Sequence, residues 1–154
     1  MKRLLLAWVA GMAMLGAASA QVVGTYKLLT FTVSIDDGTS YDYWGAQPPS
    51  GYAVITPKRF MVVIAASDRK PGREAEDKLA LFNSMIAYSG PYSIVGTKLM
   101  TDVDVSWNQA WTGTRQGRTW SLEGDKLVLV TDKAPSIKDP SKMAVARLVW
   151  QKVE

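Results

Sequence analysis

The chain has 154 residues, with 18 Lys and Arg against 14 Asp and Glu, and it contains neither cysteine nor histidine. Without histidine there is no Ser-His or Cys-His nucleophile pair, no imidazole acid–base group and no zinc site of the usual ligand types. The net charge of +4 is not gathered on any one element, so the electrostatic footprint of a nucleic-acid binder is missing.

In chain order, Lys2 and Arg3 come first, then an apolar run to Ala18, then the small-x-small cleavage pattern Ala18-Ser19-Ala20. Residues 1–20 therefore read as a secretory signal peptide cleaved after Ala20, which predicts a periplasmic or secreted protein. Residues 21–154 suit one domain with a sizeable core, and their charge falls to +2 once Lys2 and Arg3 are removed. No later stretch is apolar for long enough to predict a membrane span. An exported chain without cysteine must be held by packing, not by disulfides.

Strand signals dominate the rest of the chain. Residues 22–33 are rich in β-branched and aromatic types, and Asp36-Asp37-Gly38-Thr39 has turn composition. A short strand is predicted at 41–44. Gln47-Pro48-Pro49-Ser50-Gly51 cannot continue a ladder, because proline has no N–H to donate. Residues 52–55 and 60–65 flank Thr56-Pro57-Lys58-Arg59 as a hairpin. From 73 to 88 the period changes: Leu79, Phe82 and Ile86 recur at helical spacing, with Gly72 before and Gly90-Pro91 after. The expectation is one α-helix lying on the barrel by its apolar face. Strands resume at 92–95, 99–107, 111–122 and 126–131, the last two joined by Glu123-Gly124-Asp125. Residues 134–142 read as a loop and 144–153 as the closing strand. The first and last strands both want partners, and pairing them closes a barrel and removes its edges. The prediction is a mainly β fold, a single antiparallel up-and-down barrel of about eight to ten strands with one helix.

Five short stretches, in order, carry a resemblance. They are Gly24-Thr25-Tyr26, Gly51-Tyr52-Ala53-Val54-Ile55-Thr56-Pro57, Ile86-Ala87-Tyr88-Ser89-Gly90, Trp111-Thr112-Gly113-Thr114 and Arg147-Leu148-Val149-Trp150. Together they make the chain resemble the bacterial and fungal lipocalin-like domain family over most of residues 22–153. The resemblance implies a calycin-like barrel in which Tyr26 stands for the lipocalin Trp of the first strand. It also implies that Arg147 on the last strand packs over that ring, so Tyr26 and Arg147 are the expected closure pair. Where the family pattern tends to carry histidine and Asn, this chain has Thr101, Asp102 and Ala110. A chemical site shared there would be altered in this chain.

Asp102, Asp104 and Ser106 share one strand face and Val103, Val105 and Trp107 the other. Two readings stand: an inward carboxylate pair with raised pKa, or a solvated outer face behind an apolar inner one. Thr114, Gln116, Arg118, Trp120 and Leu122 share a face that Trp120 and Leu122 turn inward at one end, which would bring Arg118 to the cavity as a partner for an anionic head group. Trp107 and Trp111 bracket Asn108-Gln109 near a strand end. The candidate ligand-binding residues are thus Tyr52, Trp107, Asn108, Trp111, Arg118 and Trp120. No cofactor or metal is expected, since Gly113-Thr114-Arg115-Gln116-Gly117 lacks the ending of a phosphate loop and no carboxylates have calcium spacing. The leading expectation is a binder of a small hydrophobic or amphipathic molecule. The alternative is an isomerase, cyclase or dehydratase of a small apolar substrate on the same scaffold, with Asp102, Asp104, Tyr52 or Tyr88 as acid–base groups. A barrel filled by its own side chains would mean neither.

Overall fold

The computed structural model describes residues 21–154, so the leader expected at 1–20 lies outside the described residues. Eleven strands form one antiparallel sheet: β1 (Gly24–Ile35), β2 (Ser40–Asp42), β3 (Ser50–Ile55), β4 (Arg59–Ala65), β5 (Met85–Val95), β6 (Lys98–Asp102), β7 (Val105–Ser106), β8 (Arg115–Glu123), β9 (Lys126–Thr131), β10 (Ala134–Pro135) and β11 (Met143–Lys152). Eight of them run around the wall in the order β1-β3-β4-β5-β6-β8-β9-β11, and β11 returns to β1. That is an up-and-down barrel with the edges removed, as the two end strands predict. β2, β7 and β10 are short additions beside β1, β5 and β11.

Closure runs from Tyr26 opposite Lys152 to Ile35 opposite Ala144. Between Leu28 and Thr30 the register shifts by one residue on β1. Tyr26 and Leu28 are buried, Leu29 and Thr30 are exposed, and Phe31 and Val33 are buried again. The extra residue, Leu29, resets the alternation so that one long strand keeps its apolar side inward past the bend.

The two ends of the barrel differ. At one end the connections are tight, at 56–58, 96–97 and 124–125. Here Val22, Tyr26, Ile55, Leu99, Leu127 and Trp150 are fully buried and make a solid floor. The Tyr26 hydroxyl donates to the Val22 carbonyl at 2.9 Å, and the amides of Thr25 and Val153 bind the carbonyls of Glu154 and Thr25. At the other end lie the long connections 36–39, 43–49, 66–84, 103–114 and 132–142. Long loops held on a rigid wall are where binding groups usually sit.

The helix is shorter than its spacing predicts. α1 (Ala75–Asn83) has nine residues, none of them buried, and Leu79 is 60% exposed. Residues from Met85 onward belong to β5 instead, because β4 takes them as its partner from Ala65 opposite Met85 to Arg59 opposite Pro91. Gly90-Pro91 therefore does not end a helix. It marks where one edge of β5 passes from β7 to β6. A methyl group at Gly90 would overlap the Asp102 carbonyl oxygen and lie 3.1 Å from the Val103 Cα. Both are backbone atoms that cannot rotate aside, so Gly90→Ala should destabilise by about 1–3 kcal/mol or more. A urea titration checks this.

Candidate functional site

Inside the wall, toward the long-loop end, is a cavity of about 760 Å³. Aromatic rings make up a large part of its wall. Phe60, Tyr88, Trp111, Trp107 and Phe82 form a continuous chain, with successive centroids 5.7, 5.5, 5.0 and 6.1 Å apart. Opposite the floor, Tyr43 stacks on Phe31 at 4.2 Å and Trp44 meets both rings edge-on, which folds the segment after β2 toward the cavity. Val62, Ile64, Leu129, Ala146, Leu148 and Trp150 supply the aliphatic and floor surface.

The short helix contributes its C-terminal end. The Phe82 carbonyl accepts the Trp107 indole N–H at 3.2 Å, and Arg69 donates to the Leu81 carbonyl at 3.2 Å and to Ser84 Oγ at 3.1 Å. These bonds satisfy carbonyls that a helix end leaves unpaired, and they tie α1 to the mouth. Phe82 thereby reaches the cavity although its helix has no buried face.

Trp107, Asn108, Trp111 and Arg118 line the cavity. Asn108 is partly committed: its side-chain oxygen accepts from the Ala110 amide at 3.1 Å and caps the 3-10 turn Gln109–Trp111. Trp120 is on the inward face beside Leu129 and packs on the core, below the cavity lining. Tyr52 stands elsewhere. It is 51% exposed on the outer surface opposite Val63, because Gly51, Ala53 and Ile55 take the inward positions of β3. The expected stacking of Arg147 over Tyr26 is also absent. Arg147 sits at the Thr32 register, six residues along β1, and its guanidinium reaches Glu123 at 3.3 Å.

The carboxylates resolve to the solvated reading. Asp104 accepts from both terminal guanidinium nitrogens of Arg59, at 2.8 and 2.6 Å, and this pairing holds its carboxyl below the ordinary range. Asp102 faces outward and meets Arg115 at 3.3 Å. Val103 is buried between them, but Val105 and Trp107 do not share one face as alternation implies, since the strand breaks at 103–104. Of the four side chains weighed for acid–base chemistry, Tyr88 alone borders the cavity. Burial pushes its hydroxyl pKa up, with the Arg118 charge opposing.

Phe31, Tyr43, Trp44, Phe82 and Ala146 also line the cavity, as does Gln116, and the sequence pattern alone does not single out the first five as ligand contacts. Gln116 was legible, since it shares the inward face of Arg118 opposite Thr101. Among the described residues, no helix is long and apolar enough to cross a membrane, and no three His, Cys, Asp or Glu side chains gather as a metal site needs.

Among curated proteins and among solved structures, nothing matches the chain. A family model described as a lipocalin-like domain matches residues 23–153. That span takes in every strand of the barrel, with its closure and its cavity, and the chain belongs to the lipocalin-like domain family.

Proposed function

We propose that this protein is an exported binder that holds a small, largely apolar molecule in the barrel. The observation that carries the reading is the cavity itself: about 760 Å³, walled mainly by aromatic and aliphatic side chains, with a few polar and charged groups, above a solid floor. Ligand pockets commonly span about 300–1,000 Å³ and bury most of a small molecule's surface. Apolar area removed from water there contributes roughly 25 cal/mol per Å². A barrel filled by its own side chains would leave no such space. The leader at 1–20 supports delivery to the periplasm or beyond.

The test uses N-phenylnaphthylamine, an uncharged aromatic probe whose emission rises in apolar surroundings. Purified residues 21–154 should bind it saturably, near one per chain, with a rise in melting temperature that grows with probe concentration. Absence of both signals, with this probe and with a panel of fatty acids, quinones and terpenoids, would remove the reading. Export is checked separately by fractionation and by the mass of the mature chain, which should begin at Gln21.

A further inference from the structure

The charged groups along the cavity wall are unequally matched. Asp132 lines the cavity, but both its oxygens accept from Lys98 Nζ at 2.7 Å. Arg115 is paired with Asp102, and Lys133 is exposed on a loop. Arg118 differs from all of these. It is half-buried on the inward face of β8, between Leu99 and Thr131 in the register. Among the described residues its guanidinium makes one hydrogen bond, to the Gly117 carbonyl at 2.7 Å. Among the described residues it meets no carboxylate.

A guanidinium has five N–H donors, so most of its capacity is unused. A half-buried cation without a counter-ion is costly, and a bidentate carboxylate is the partner that offsets the cost best. The other unmet groups have the same sense. The Tyr88 hydroxyl, close enough to feel the Arg118 charge, has no hydrogen-bond partner among the described residues. Deeper in the barrel, the indole N–H groups of Trp120 and Trp150 are buried without an acceptor among the described residues. The interior thus has donors to spare, while Asp132, the acidic group on its wall, is already taken.

We propose that the molecule held in the barrel is an amphipathic carboxylic acid, its carboxylate on the Arg118 guanidinium with the Tyr88 hydroxyl as second donor, and its apolar body along the Trp111–Trp107–Phe82 rings. This rests on the barrel being a binder. Burial keeps the Tyr88 hydroxyl protonated at neutral pH, so it remains a donor.

Two matched probe pairs test it: anilinonaphthalene sulfonate against uncharged N-phenylnaphthylamine, and dodecanoate against dodecanol as competitors. In the wild-type chain the anionic member of each pair should bind at least about tenfold tighter, a comparison that needs no variant. Arg118→Gln should weaken the sulfonate and dodecanoate roughly ten- to a hundredfold, and N-phenylnaphthylamine less than about threefold. Arg118→Lys should restore part of the loss, and Tyr88→Phe should weaken the anions by a smaller factor. Equal affinity within each pair, or equal losses for charged and uncharged probes in Arg118→Gln, would overturn the head-group assignment and leave the binder reading standing. Failure of every probe on the wild-type chain would overturn both.

Discussion

Trp150→Ala is expected to cost about 3–5 kcal/mol of unfolding free energy, the range for deleting a large buried aromatic side chain. Domains of this size have about 5–15 kcal/mol in total, so much of the molecule's stability is at stake. Trp150 is 0% exposed and stands in register with Leu28 on one side and Leu127 on the other. It therefore joins the first, last and ninth strands at the closed end, where Tyr26, Val22 and Ile55 complete the floor. Its indole N–H has no acceptor among the described residues, so the loss would come from packing and not from a broken hydrogen bond. Trp150→Phe separates the two contributions. It keeps an aromatic ring and deletes the unmet donor, and should cost less than half as much as alanine. Urea midpoints, with unchanged slopes, measure both. A silent Trp150→Ala would mean that the floor is not packed as described.

Closure above this floor is legible in the sequence. The first and last strands are apolar ends that each need a partner, and β1 does pair with β11 along its length. The inward face Gln116–Arg118–Trp120 follows from the period of two anchored on Trp120, although Leu122, expected on the same face, is 38% exposed where the strand runs out to its turn. Alternation fails where both faces are apolar. In β3, Gly51, Ala53 and Ile55 are inside while Tyr52 is outside, and nothing local ranks Tyr52 below Ala53 for burial. It fails again after Val103, where a break between β6 and β7 shifts the phase and leaves Val105 59% exposed. Ile86 suits both a helical and a strand period, and Tyr88 suits the strand. What decides is remote: β4 is a long apolar strand whose free edge needs residues 85–91. Long-range pairing overrides the local pattern.

Arg147 marks a different boundary. The resemblance places a cation on the closing strand, and one is there, but register decides what it touches. Six residues along β1 separate its partner Thr32 from Tyr26, and the side chain points to Glu123 on the outer surface. The ring of Tyr26 is covered instead by neighbours in the floor cluster, and its hydroxyl by the Val22 carbonyl. Motif resemblance thus locates the closing strands correctly and misjudges one side-chain contact between them.

If the cavity is the binding site, filling it should abolish binding without unfolding the barrel. Ala146 is the position to fill. It lines the cavity on β11, two residues before inward-facing Leu148 and opposite Val33. Its own side chain is small, and the bond it makes, to Thr131 Oγ1 at 2.9 Å, uses its backbone amide and survives substitution. In a close-packed core, adding a phenyl ring commonly costs about 1–3 kcal/mol through displaced neighbours. Here the ring would enter empty space, bury apolar surface and displace no close-packed group, so the melting temperature should hold or rise. N-phenylnaphthylamine affinity should fall at least about tenfold, because the added ring occupies the space its apolar body needs. The paired control is Tyr52→Ala, on the outer face of β3, which should leave probe affinity unchanged. Retained binding in Ala146→Phe together with loss in Tyr52→Ala would move the site from the interior to the outer surface.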